Sequence, residues 1–265
     1  MHNITSVLFA GMALASIASA ADAAPKPVET GFLFKKLTLD KKDYPYVVYV
    51  PENYDATKAW PLIMFLHGAG ECGSDGWRPV MQGIGTAIML DVAKWPFIVI
   101  IPQKPDVKYA WEQYDGALMQ MLKTARKDYK VDGSRLYLTG LSQGGHGTWA
   151  IGARHADLWA AIAPICGYGG SKWPQTETPK GLLPAFNGPD SEFGTALKDT
   201  PVWAFHGEAD SVVPIKETQD LVAAVKAAGG APKITTYPGV DHNSWDRAYR
   251  TEDLGAWFLS HRKGG

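Results

Sequence analysis

The chain has 265 residues, 46% hydrophobic and 11% aromatic, and its 26 basic residues nearly cancel its 27 acidic ones. A sizeable core is therefore available, and the basic excess expected of a nucleic-acid partner is missing. Two cysteines are too few for a disulfide framework, and no Cys/His cluster has metal-ligand spacing, so no metal is expected.

The N-terminus reads as a leader. Residues 4–20 carry no charge, residues 7–18 form an apolar core, and Ala18-Ser19-Ala20 supplies the small-x-small pattern of a cleavage site. The run is too short and too rich in Ala, Gly and Ser for a membrane anchor. The sequence predicts a signal peptide over 1–20, a linker over 21–30 and a single domain over 31–265. Secreted or periplasmic protein is expected, with no stable membrane insertion after cleavage.

Strand-like and helix-like segments then alternate. Strand candidates at 32–39 and 46–50 are followed by short apolar runs at 62–66, 97–101, 136–139, 160–165, 202–206 and 233–237. Continuous rather than alternating apolar runs suit strands buried on both faces. Between them Leu118, Met121, Leu122, Ala125 and Tyr129 mark one face of a helix. Leu221, Val222 and Val225 mark another, which Gly229-Gly230 stops. Leu254, Trp257, Phe258 and His261 mark the last. The pattern predicts a doubly wound, mostly parallel α/β sheet with helices on both faces. The Gly-, Pro- and Ser-rich stretch 167–200 breaks the rhythm and reads as a loop cap.

The run at 136–139 leads into Gly140-Leu141-Ser142-Gln143-Gly144-Gly145, with a helix-compatible segment beyond. This is G-x-S-x-G between strand and helix, a sharp turn that projects the serine hydroxyl from the sheet edge. A serine hydroxyl needs a base, and the base an orienting acid. His242 follows the last strand run and Asp210 the one before it, giving the order Ser142, Asp210, His242. Glu208 is the runner-up acid, whereas Asp241 adjoins His242 and its side chain should diverge. His67 and His206 end strands and read as loop anchors, and His146 as surface or pocket wall. An oxyanion needs two backbone N–H donors, each worth about 3 kcal/mol of transition-state stabilisation. Gln143 and Ala69 are the candidates, with Gly70 as the neighbour of the second. Trp77, Trp111, Trp173 and Trp245 fall in or beside loops, and Trp173 and Trp245 are candidate substrate-binding side chains. Cys72 and Cys166 follow different strand ends and are expected as free thiols.

Taken together, Leu66-His67-Gly68-Ala69-Gly70-Glu71, the Ser142 motif, Ala163-Pro164-Ile165-Cys166-Gly167, His206-Gly207-Glu208-Ala209-Asp210 and His242-Asn243-Ser244-Trp245 carry a resemblance. From about Tyr46 onward the chain resembles the polyhydroxybutyrate-depolymerase-like esterases of the α/β-hydrolase superfamily. That group includes acetylxylan- and feruloyl-type esterases and proteins labelled peptidases. The resemblance implies the α/β-hydrolase fold and a serine esterase with the three residues above in their triad roles. Acyl transfer on such a triad requires no cofactor, and the loop tryptophans taken with export point to a small-molecule or polysaccharide-linked ester, carbohydrate-linked or aromatic, as substrate. Cys72 stands where such sequences often carry a basic residue, and the 167–200 stretch is longer than usual; both bear on substrate choice. A serine peptidase on the same triad and a noncatalytic carbohydrate-binding relative are the alternatives. The oligomeric state is not legible.

Overall fold

The computed structural model describes residues 28–170, 182–184, 186 and 188–264. The expected signal peptide and Trp173 lie outside them. Eight strands form one sheet, β1 (Gly31–Leu39), β2 (Lys42–Val50), β3 (Trp60–Leu66), β4 (Ile98–Pro102), β5 (Val131–Leu141), β6 (Ala161–Ile165), β7 (Trp203–Gly207) and β8 (Lys233–Tyr237). The two strand candidates and six apolar runs of the sequence match these eight strands, three of the runs starting one residue early. Their order is β1-β2-β4-β3-β5-β6-β7-β8, with β1–β2 and β2–β4 antiparallel and the remaining pairs parallel.

Successive strand residues feed opposite cores, which is why the runs are continuous. Leu62 and Met64 point to one side with Leu136, Leu138 and Ile162. Ile63 and Phe65 point to the other with Tyr137, Ala161 and Ala163. The first core is covered by α2 (Asp115–Asp128), α3 (Gln143–Arg154), α4 (Asp190–Leu197) and α5 (Lys216–Ala227). The second is covered by α1 (Ile84–Leu90), α6 (Trp245–Arg250) and α7 (Leu254–Leu259).

Helix α4 corrects the reading of 167–200 as a loop throughout. Phe193 and Leu197, one turn apart, are fully buried in the first core. Gly194 blurred that face in the sequence. It is there because α4 lies against α5 so closely that a Cβ would come within 2.4 Å of the Ala224 carbonyl oxygen.

Strand order reverses between β3 and β5: the chain leaves β3 for β4 on one side and later enters β5 on the other. The loops after these two strands diverge and leave a crevice at the carboxyl edge, where open α/β sheets bind ligands.

Candidate active site

Ser142 lies at the carboxyl end of β5, where strand turns directly into α3. Its φ of 55° and ψ of −117° are strained for a non-glycine residue. Its N–H donates to the Ile165 carbonyl at 2.9 Å, so the neighbouring strand holds the turn. Gly144 is required by contact: a Cβ there would come within 1.9 Å of the Leu66 carbonyl oxygen at the end of β3.

The residues predicted as acid and base meet at this turn. His242 Nε2 is 2.9 Å from Ser142 Oγ, and His242 Nδ1 is 2.8 Å from Asp210 Oδ2. The Asp210 side chain is fully buried and the His242 side chain is 18% exposed, so the run is screened at one end and open at the other. Asp210 Oδ1 accepts the N–H groups of Val212 and Val213 at 2.9 and 2.8 Å. Buried His206 lies 3.1 Å from Oδ2 through Nε2, which also donates to the Val213 carbonyl. His206 is a loop anchor, as its place suggested, and it also braces the carboxylate. Burial lowers its pKa, which keeps the ring neutral. Glu208 is exposed and accepts the Thr236 hydroxyl at 2.7 Å, away from His242. Asp241 instead accepts the N–H groups of Ser211 and His242 at 2.8 and 2.7 Å, latching the acid loop to the histidine loop.

The two candidate oxyanion donors sit at helix starts. Gln143 opens α3, and Ala69 opens a 3₁₀ turn over Ala69–Glu71. The first N–H groups of a helix have no intrahelical acceptor and are available to an anion. Behind them lies a polar cluster that the sequence did not announce. His67, fully buried, donates from Nδ1 to the Gly68 carbonyl at 2.6 Å and accepts the Lys104 N–H at Nε2, 3.0 Å away. Burial pushes its pKa down to about 3, which fits this neutral tautomer. Lys104, also buried, donates its ammonium to Gln143 Oε1 at 2.6 Å and to the Tyr109 carbonyl.

A cavity of about 490 Å³ opens in front of Ser142. Leu141, Tyr168, Val212, Val213, Pro214 and Trp245 give it an apolar wall, and Glu71 and Glu217 add carboxyl groups. The Trp245 ring stands edge-on to His242, with 5.5 Å between centroids. Trp111 is buried, donating to the His67 carbonyl at 2.9 Å. Trp77 is exposed and stacks on Phe34.

His146 is neither surface nor pocket wall. It is fully buried, stacked on Tyr168, with Nε2 3.2 Å from Glu112 Oε1 and Nδ1 3.2 Å from the Tyr168 carbonyl. Burial works against both charges, but the Glu112 carboxylate raises His146 and His146 lowers Glu112. Glu112 Oε1 also accepts the Phe186 N–H at 2.8 Å, tying down the segment ahead of α4.

Cys72 and Cys166 are free thiols. Cys166 is buried, and burial pushes its pKa up to about 12, so it stands as a neutral thiol. Its sulfur lies within 4.8 Å of ligand-type atoms of Asp210 and His242, which already bond each other.

An eight-stranded, mostly parallel sheet wrapped by helices on both faces, with a strained serine on the strand-to-helix turn at its centre, defines an α/β-hydrolase. The chain belongs to the prolyl oligopeptidase family, whose sequence model matches residues 108–265. An uncharacterized secreted protein of Arthroderma benhamiae is 25% identical over 227 residues, 76% of this chain and 23% of that protein. A bifunctional acetylxylan esterase/xylanase of Neocallimastix patriciarum is 24% identical over 182 residues, 66% of this chain and 22% of that protein. The chain thus spans about a quarter or less of these curated relatives. Among solved structures, a thermostable esterase is 28% identical with a TM-score of 0.72, over 87% of this chain and 63% of that one.

Proposed function

We propose that the chain hydrolyses carboxylic esters through an acyl-enzyme on Ser142, with His242 as general base and Asp210 as the acid that orients it. The observation that carries this reading is the continuous hydrogen-bond run from Ser142 Oγ through His242 to Asp210, at 2.9 and 2.8 Å. In the reaction His242 Nε2 takes the hydroxyl proton as Oγ attacks the ester carbonyl. Asp210 faces the imidazolium that forms. The Ala69 and Gln143 N–H groups receive the oxyanion. His242 then protonates the leaving alcohol, and a water molecule repeats the attack on the acyl-enzyme.

For the substrate we favour esters carried by carbohydrate or with an aromatic acyl group. The apolar wall of the cavity and the placement of Trp245 support this, as do the esterase names of the thermostable structure and of the Neocallimastix protein. Trp173 is retained as a second stacking side chain on sequence grounds alone. Export after cleavage at Ala20 is supported by the leader-like run and by the secreted Arthroderma relative. Among the described residues no helix is long and apolar enough to cross a membrane. A peptidase on the same triad is the second reading, favoured by the family to which the chain belongs.

Reaction with a fluorophosphonate probe followed by peptide mapping tests the chemistry. The label should fall on Ser142, and Ser142→Ala should abolish both labelling and ester turnover in a folded protein. An unlabelled wild-type protein would sink the proposal. Matched ester and anilide substrates separate the two readings, and faster anilide turnover would favour the peptidase.

A further inference from the structure

Lys104 is the group in the site that the proposed chemistry does not use and burial alone does not explain. It follows β4, its residue exposure is 1%, and its ammonium lies over the Trp111 ring at 5.7 Å. Among the described residues it forms no ion pair. Two of its three ammonium N–H groups go to Gln143 Oε1 and the Tyr109 carbonyl. A buried cation with no ion-pair partner is costly.

The contacts of Lys104 reach both halves of the oxyanion site. Its ammonium holds the side chain of Gln143, the first residue of α3, and the Gln143 amide is fixed from its other end by a 2.9 Å bond to the Val107 carbonyl. Its own N–H holds His67, whose ring in turn holds the Gly68 carbonyl beside Ala69. One residue therefore ties the loop after β3 to the start of the helix after β5.

Building on the hydrolase reading, we propose that Lys104 is a positioning residue that sets the geometry of the two oxyanion donors and, through its unpaired positive charge, favours the negative charge developing between them. The groups facing it are consistent with a charge left over for that task. Cys72, on the loop after β3, is itself pushed upward by burial and is a neutral thiol near neutral pH. Glu112, on the turn before α2, is engaged by His146. Asp106, on the loop after β4, is half-buried, and His67 is neutral. Desolvation dominates these neighbours and brings the Lys104 pKa down to about 8. The charge is thus present at neutral pH and lost above it.

The test compares wild type, Lys104→Met and Lys104→Arg on a short activated ester across pH 6–10, with thermal unfolding as a folding control. Wild type should lose kcat along an alkaline limb centred near pH 8. Lys104→Met should lower kcat by roughly ten- to a hundredfold at neutral pH, leave KM within about threefold, and have no such limb. Lys104→Arg, charged throughout this range, should recover most of kcat and hold it to pH 10. A folded Lys104→Met enzyme with wild-type kcat overturns the proposal, and so does a wild-type limb that persists unchanged in Lys104→Arg. Should Lys104→Met not fold, the wild-type and Lys104→Arg profiles still decide. A wild-type protein whose Ser142 takes no fluorophosphonate overturns the hydrolase reading and this one with it. An active enzyme indifferent to Lys104 overturns this one alone.

Discussion

Asp210 has both carboxylate oxygens saturated: two backbone N–H groups hold Oδ1, and His242 and His206 share Oδ2. An amide cannot accept from both histidines while keeping this orientation, because its NH₂ would face ring N–H groups. Asp210→Asn should therefore force His242 into the wrong tautomer and lower kcat by about 10³–10⁴-fold, with little change in folding. Glu208→Gln touches only the Thr236 contact and should stay within about threefold of wild type. Steady-state kinetics on one ester compares them, and a larger loss from Glu208→Gln would move the acid role. The two thiols give a second check at this scale. Alkylation of the denatured chain without reductant should add two groups by intact mass, and none would mean a bridge.

At the scale of elements, the turn from β5 into α3 depends on backbone contact. Gly144→Ala drives a methyl group into the Leu66 carbonyl and should cost about 3 kcal/mol or more, or prevent folding, as read by urea denaturation. The other sensitive joint is the buried His146–Glu112 pair between α3 and the turn before α2. His146 is raised above its ordinary 6.5, so its contribution is complete below that value and fades as pH climbs through the raised one. Glu112 is lowered from 4.5, so its contribution is present above that value and fades as pH falls through the lowered one. The pair is therefore most stabilising in between. Glu112→Gln should cost about 3–5 kcal/mol near pH 6, and the gap to wild type should narrow in alkali. A gap that widens with pH would contradict the pairing.

For the whole molecule, the topology decides where the proposed chemistry would take place. The crevice between β3 and β5 brings residues from the two halves of the chain to one edge, while β7 and β8 deliver Asp210 and His242 from the far side of β6. The proposed leader belongs to this scale as well. Protein recovered from the periplasm or medium of an expressing host should begin at Ala21 by intact mass. A chain beginning at Met1 there would contradict the signal peptide.

The sequence by itself determined what local chemistry encodes. Apolar runs marked the inner strands β3 to β7, because a strand buried on both faces has no polar alternation to obscure it. The G-x-S-x-G turn stood out because backbone crowding at Gly144 admits no side chain. The chain order of Ser142, Asp210 and His242 was readable because each follows a strand end. Helix α4 was hidden because Gly194, needed for close approach to α5, breaks the local face that would reveal it. Only the tertiary structure decided which strand ends are neighbours. It thereby decided that His206 would brace Asp210, that Asp241 would latch two loops, and that Lys104 would be buried behind Gln143. Those roles rest on contacts between residues far apart in the chain, and no local pattern carries them.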